Sequence, residues 1–110
     1  MTLDAGQVGA LRTLSPGAAV KSEARSDFLF LPALKVQVAS ETRVLDALLC
    51  AATRSGYASR LYVSEQIPGR SATNWTAETI LGRTWWTWSW RIPADLTLIQ
   101  MLGEHLRAFR

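Results

Sequence analysis

The chain has 110 residues, 48% of them hydrophobic, and a formal net charge of +3 drawn mainly from arginine, with Lys21 and Lys35 as the lysines. That length suits one domain with one core, spanning residues 1–110, and the scattered charge lacks the dense basic stripe that phosphate-driven nucleic-acid binding requires. No apolar run of about 18 residues and no charged start ahead of an apolar core occurs, so a membrane span and a secretory signal are not supported and a cytoplasmic protein is expected.

In chain order, Leu3, Val8, Leu11 and Leu14 suggest a short helix opening at Thr2 or Asp4 and ended by Ser15-Pro16-Gly17. Phe28 to Leu31 leads through Pro32 into Leu34, Val36 and Val38. This reads as one strand in which the proline implies an edge or a bulge. The run from Val44 to Cys50 places Val44, Asp46, Leu48 and Cys50 on one face, with Leu45, Ala47 and Leu49 on the other. A loop from Ala51 to Gly56 follows, then a third strand over Arg60-Leu61-Tyr62-Val63 and a turn at Ile67-Pro68-Gly69-Arg70-Ser71. Between Ala72 and Arg83 the threonines invite local side-chain bonds to the backbone, and the segment reads as a long loop with one helical turn around Ala77 to Leu81.

Four of the five tryptophans then fall within six residues, Trp85-Trp86-Thr87-Trp88-Ser89-Trp90. Period 2 puts Trp86, Trp88 and Trp90 on one strand face, packed as structural core, and leaves Trp85 on the other, open to a partner. Pro93 stops the strand. Asp95 is placed as an N-cap, and Leu96, Ile99, Leu102, Leu106 and Phe109 repeat at helical spacing, giving a terminal amphipathic helix.

This order of elements resembles the ubiquitin-conjugating enzyme (E2) family, and more closely its divergent bacterial members from ubiquitin-like conjugation operons. The residues that carry the resemblance are Asp46 to Cys50, Gly56-Tyr57, Arg60 to Val63, Gly82, Trp85, the Trp88-Ser89 pair and the run from Asp95 to Arg110. It implies an α+β, E2/UBC-like fold: an N-terminal helix, a four-stranded antiparallel meander and a C-terminal helix. It also implies two partners, a ubiquitin-like protein and an E1-like activating enzyme, with no cofactor.

The departures bear on chemistry. Ala58 and Ser59 stand where the family has prolines after the tyrosine, no His-Pro-Asn triplet follows Ile67, and no cysteine lies between Ile67 and Trp88, where the thioester-forming nucleophile belongs. Cys50 lies too early and reads as a small structural hydrophobe. Two readings follow. In one, the domain binds its partners without a covalent intermediate. In the other, one hydroxyl among Ser71, Thr73, Thr76, Thr79 and Thr84 carries the ubiquitin-like protein as an oxygen ester, with Asn74 as the oxyanion donor.

Other chemistry finds less support. With His105 as the sole histidine and Cys50 as the sole cysteine, no zinc site of the usual ligands can be assembled. A triad of Ser89, His105 and Asp95 has no support from spacing. The tryptophans are able in principle to stack nucleobases, but only Arg83 and Arg91 flank them, so nucleic acid is not the expected partner.

Overall fold

The computed structural model describes residues 5–23, 26–38, 41–52, 56–67 and 73–109. Helix α1 covers Ala5–Leu11, strands β1 to β6 cover Ala19–Glu23, Ser26–Val38, Glu41–Cys50, Arg60–Val63, Thr76–Ile80 and Arg83–Thr87, and α2 covers Leu98–Leu106 before a 3-10 turn at Arg107–Phe109. The strands form one antiparallel sheet in the order β1-β2-β3-β4-β6-β5.

Alternation divides the strand side chains between two apolar clusters. Leu29, Leu31, Val36, Leu45, Ala47, Leu49, Leu61 and Val63 pack with Val8 and Leu11 of α1 and with Leu98, Met101, Leu102 and Phe109 of the C-terminal segment. Phe28, Leu48, Cys50, Tyr62, Ile80 and Trp85 form the second cluster, to which no helix contributes. That face is closed instead by the curl of the sheet, which brings the Glu23 carboxylate of β1 to the Leu81 N–H in the β5–β6 turn. A bulge drives part of this bending, since an extra residue in one strand increases local twist. It lies at Leu31/Leu34, where Ala33 has φ 51° and its N–H donates to Asp46 Oδ1 at 2.9 Å.

The six strands overturn the E2-like fold expected from the motifs. A four-stranded meander between two helices is not what the chain forms; the sheet has six strands and the two helices are short. Two strands are new. β1 lies where no strand was expected, and β5 and β6 turn the expected loop between Ala72 and Arg83 into a hairpin. Thr76 and Thr79 are β-branched, and pairing with β6 outweighs their capacity for local bonds.

Boundaries shift for similar reasons. The tryptophan strand ends at Thr87, so Trp88 and Trp90 follow it in irregular backbone. The α2 N-cap is Thr97, not Asp95: Thr97 and Gln100 form a reciprocal capping box, which satisfies two otherwise unpaired N–H donors. Pro32 sits beside the bulge in β2, which is flanked on both sides, so of its two expected settings it takes the bulge. Thr2, Leu3, Asp4 and the turn residues 68–71 lie outside the described residues.

Candidate binding groove

The expected acyl-acceptor hydroxyls do not gather around a base. Ser71 lies outside the described residues; Thr73, Thr76, Thr79 and Thr84 are exposed, as is Asn74. Thr79 and Thr84 face each other across the β5–β6 hairpin, and Thr76 Oγ1 donates weakly to the Asn74 carbonyl at 3.4 Å. The sole imidazole is engaged elsewhere. His105 and Ser59 are both buried, with Nε2 and Oγ 3.0 Å apart.

The Ser59–His105 pair was not legible in the sequence, because 46 positions separate its members. Ser59 lines a cavity of about 320 Å3 together with Ala51, Ala58, Asp95, Leu96 and Met101. A Ser–His contact beside a cavity is the shape of an activated nucleophile. Two observations speak against that role. Burial, helped by the Arg60 charge, lowers the His105 pKa to about 4, so its ring is neutral and a weak base near pH 7. Among the described residues, no carboxylate hydrogen-bonds the ring to orient it. The pair therefore satisfies two buried polar groups. No cluster of three potential metal ligands occurs among the described residues.

The tryptophans divide by face. Trp86 and Trp90 are half-buried against the helix-side cluster, and Trp88 is buried within it, against Trp75, Phe109 and His105. Trp90 Nε1 donates to the Glu104 carbonyl at 2.8 Å, whereas Trp88 Nε1 has no partner. Trp85 lies on the opposite face, but its expected presentation to a partner is corrected by burial: it is 2% exposed and its Nε1 donates to the Ile80 carbonyl at 3.2 Å. Cys50 is buried beneath the same face.

What reaches the surface near Trp85 is a groove. Lys21, Phe30, Leu81, Arg83 and Trp85 line a cavity of about 230 Å3 where the curl brings β1 to the β5–β6 turn. Phe30 and Trp85 meet edge to face, with centroids 6.2 Å apart. The Arg83 guanidinium sits 4.6 Å from the Trp85 ring centroid, and its Nη1 bonds Asp46 Oδ2 at 3.0 Å. Lys21 is exposed and makes no ion pair among the described residues.

Both residues of the β5–β6 turn have positive φ, 55° at Leu81 and 73° at Gly82. That is the type I′ turn favoured in two-residue hairpins, which selects Asn, Asp or Gly at its first central position. Leucine is a poor choice there, and its side chain is 38% exposed.

The sequence matches no protein-family model, no curated protein and no solved structure. Among the described residues, no helix is long and apolar enough to cross a membrane.

Proposed function

We propose that this protein is a non-catalytic interaction module that takes an extended segment of a partner protein along the open edge of β5. The observation that carries this reading is the composition and pairing of that strand. β5 pairs with β6 alone, and its exposed positions are Thr76, Ala77 and Thr79. The Ile80–Arg83 pair closes a two-residue turn, so ladder bonds fall at Ile80, Glu78 and Thr76, and the N–H and C=O groups of Ala77 and Thr79 face outward.

Proteins usually blunt such edges with lysine, proline, bulges or inward charges. β1, at the other edge, carries Lys21 and exposed Glu23, whose carboxylate also caps the β5–β6 turn. β5 has no lysine, proline or bulge. Its one charge, Glu78, accepts from the Tyr62 hydroxyl at 2.9 Å, drawing it toward the sheet face and away from the edge. An edge left in this state favours strand addition by a partner.

The ubiquitin-like protein and activating enzyme implied by the sequence resemblance are the first partners to test. Carriage of an oxygen ester on a loop hydroxyl is the weaker reading, since the described candidate hydroxyls are exposed and, among the described residues, none of them is hydrogen-bonded to a histidine or a carboxylate. Thr79→Pro removes one outward N–H while leaving the β6 ladder bonds in place. Isothermal titration with each partner should show binding that Thr79→Pro abolishes without lowering the melting temperature appreciably. Undiminished binding by Thr79→Pro contradicts the edge assignment.

A further inference from the structure

We infer that Arg60 and Arg91 form a clip for a doubly charged phosphate group, with Tyr57 as the spacer between them. The site shares no residue with the β5 edge and does not depend on it. Both guanidinium groups lie against one ring: the Arg60 Cζ is 4.2 Å and the Arg91 Cζ 4.7 Å from the Tyr57 centroid. One cation against an aromatic ring is a favourable contact. A second brings like charges together, and an anion that joins the two relieves the repulsion.

The described residues do not supply that anion. Arg43, Arg83 and Arg107 are each paired with a carboxylate, on Glu65, Asp46 and Glu104 respectively. Glu78 is engaged by the Tyr62 hydroxyl and Glu23 by the Leu81 N–H. Among the described residues, neither Arg60 nor Arg91 has a carboxylate within ion-pairing distance, Asp95 included, although it follows Arg91 by only four positions.

Two hydrogen bonds fix the arginines while sparing most of their donors. Arg60 Nε donates to Thr87 Oγ1 at 3.1 Å, and Arg91 Nη1 donates to the Gly56 carbonyl at 3.0 Å. Both terminal nitrogens of Arg60, and Nε and Nη2 of Arg91, have no hydrogen-bond partner among the described residues. Guanidinium forks match phosphate oxygens in bidentate pairs. Two such cations match the charge of a phosphate dianion, whereas a carboxylate or a phosphodiester brings a single charge. Arg60 is half-buried and Arg91 exposed, so one arm is rooted in β4 and the other is open to an incoming ligand. Phosphorylated side chains are recognised by arginine clusters of this kind.

The test uses two dianionic probes near pH 7.5, inorganic phosphate and a blocked phosphoserine tripeptide, with dimethyl phosphate and acetate as singly charged controls. Binding is followed through the Nε–H resonances of Arg60 and Arg91 in 15N-labelled protein, assigned by their loss in Arg60→Lys and Arg91→Lys. Saturable shifts of both resonances are expected with the dianions, with binding at least about ten-fold weaker for either control. Tighter binding of the tripeptide than of phosphate identifies a phosphorylated side chain as the ligand; the reverse order identifies the free ion. Arg91→Gln should weaken binding at least about ten-fold, and Arg91→Lys, which keeps the charge but not the fork, should recover only part of the loss. Lys21→Gln removes a charge elsewhere and should bind as the parent does. The absence of a saturable shift, equal affinity for dimethyl phosphate, parental affinity in Arg91→Gln, or an equal loss in Lys21→Gln each overturns the proposal.

Discussion

Trp88 is the residue on which the helix-side core turns, and its replacement gives a quantitative test of the packing. The ring is 1% exposed and lies 4.8 Å from Phe109 and 5.2 Å from Trp75, centroid to centroid, with His105 edge-on at 6.5 Å. Truncation to alanine removes a fully buried indole and leaves a cavity among rigid aromatic neighbours, which costs about 3–5 kcal/mol. Small domains have about 5–15 kcal/mol in total, so Trp88→Ala should be largely unfolded or melt far below the parent. Trp88→Phe should behave differently. The smaller ring loses about 1–2 kcal/mol of apolar burial. It also removes the Nε1–H that has no partner, and leaving such a donor buried costs about 1–3 kcal/mol. The two nearly cancel, and a net loss below about 1.5 kcal/mol is expected from these terms. Urea denaturation followed by far-ultraviolet circular dichroism measures both variants, since the probe does not depend on the tryptophan removed. Equal damage from Trp88→Phe and Trp88→Ala would refute the packing argument and the orphan donor with it.

His105 gives a pH signature. Its pKa is lowered in the folded state to about 4 from an ordinary 6.5, so between these values the unfolded chain binds the proton and the folded one does not. This contribution to stability is complete above pH 6.5, falls as pH drops, and is spent at about pH 4; the whole interval is worth about 3 kcal/mol. His105→Gln should flatten the dependence of the urea midpoint between pH 7 and pH 4.5, and an unchanged slope contradicts the assignment. Leu81→Gly should raise stability by about 1 kcal/mol by relieving the left-handed leucine, read as a higher melting temperature. The Cys50 thiol should stay unmodified by a disulfide reagent in native protein and react fully in denaturant, because its sulfur is buried. Rapid native-state labelling would mean that this face opens.

The sequence was most readable where burial imposes a period. β2, β3 and β4 each bury alternate or consecutive residues, and their patterns mark them to within a few positions. The edge strands lack that signal. β1 is exposed at four of its five positions and β5 at three, so neither has an apolar period to find, and what holds them is hydrogen bonding to a neighbour. The tryptophan run misleads for another reason. Period 2 holds only to Thr87, and beyond it the backbone is irregular, yet Trp88 still reaches the core. The motifs resembling an E2 protein lie in β3, β4, the β5–β6 turn, β6 and the segment from Trp88 through α2, and none of them lies within the two edge strands β1 and β5. The groove was hidden as well. Lys21, Phe30 and Arg83 meet only through the curl of the sheet, while the one local clue, leucine before glycine in a tight turn, depends on recognising the hairpin.

The central claim is that this chain binds a partner through a strand edge and performs no acyl transfer. It is tested most directly by incubating the protein with a ubiquitin-like protein, its activating enzyme and ATP, then measuring intact mass and amide hydrogen exchange on the same sample. The account predicts an unchanged mass and slowed exchange confined to the outward amides of Ala77 and Thr79. A mass increase that resists thiol reductant, yields to hydroxide and maps to Ser71, Thr73, Thr76, Thr79 or Thr84 would contradict it.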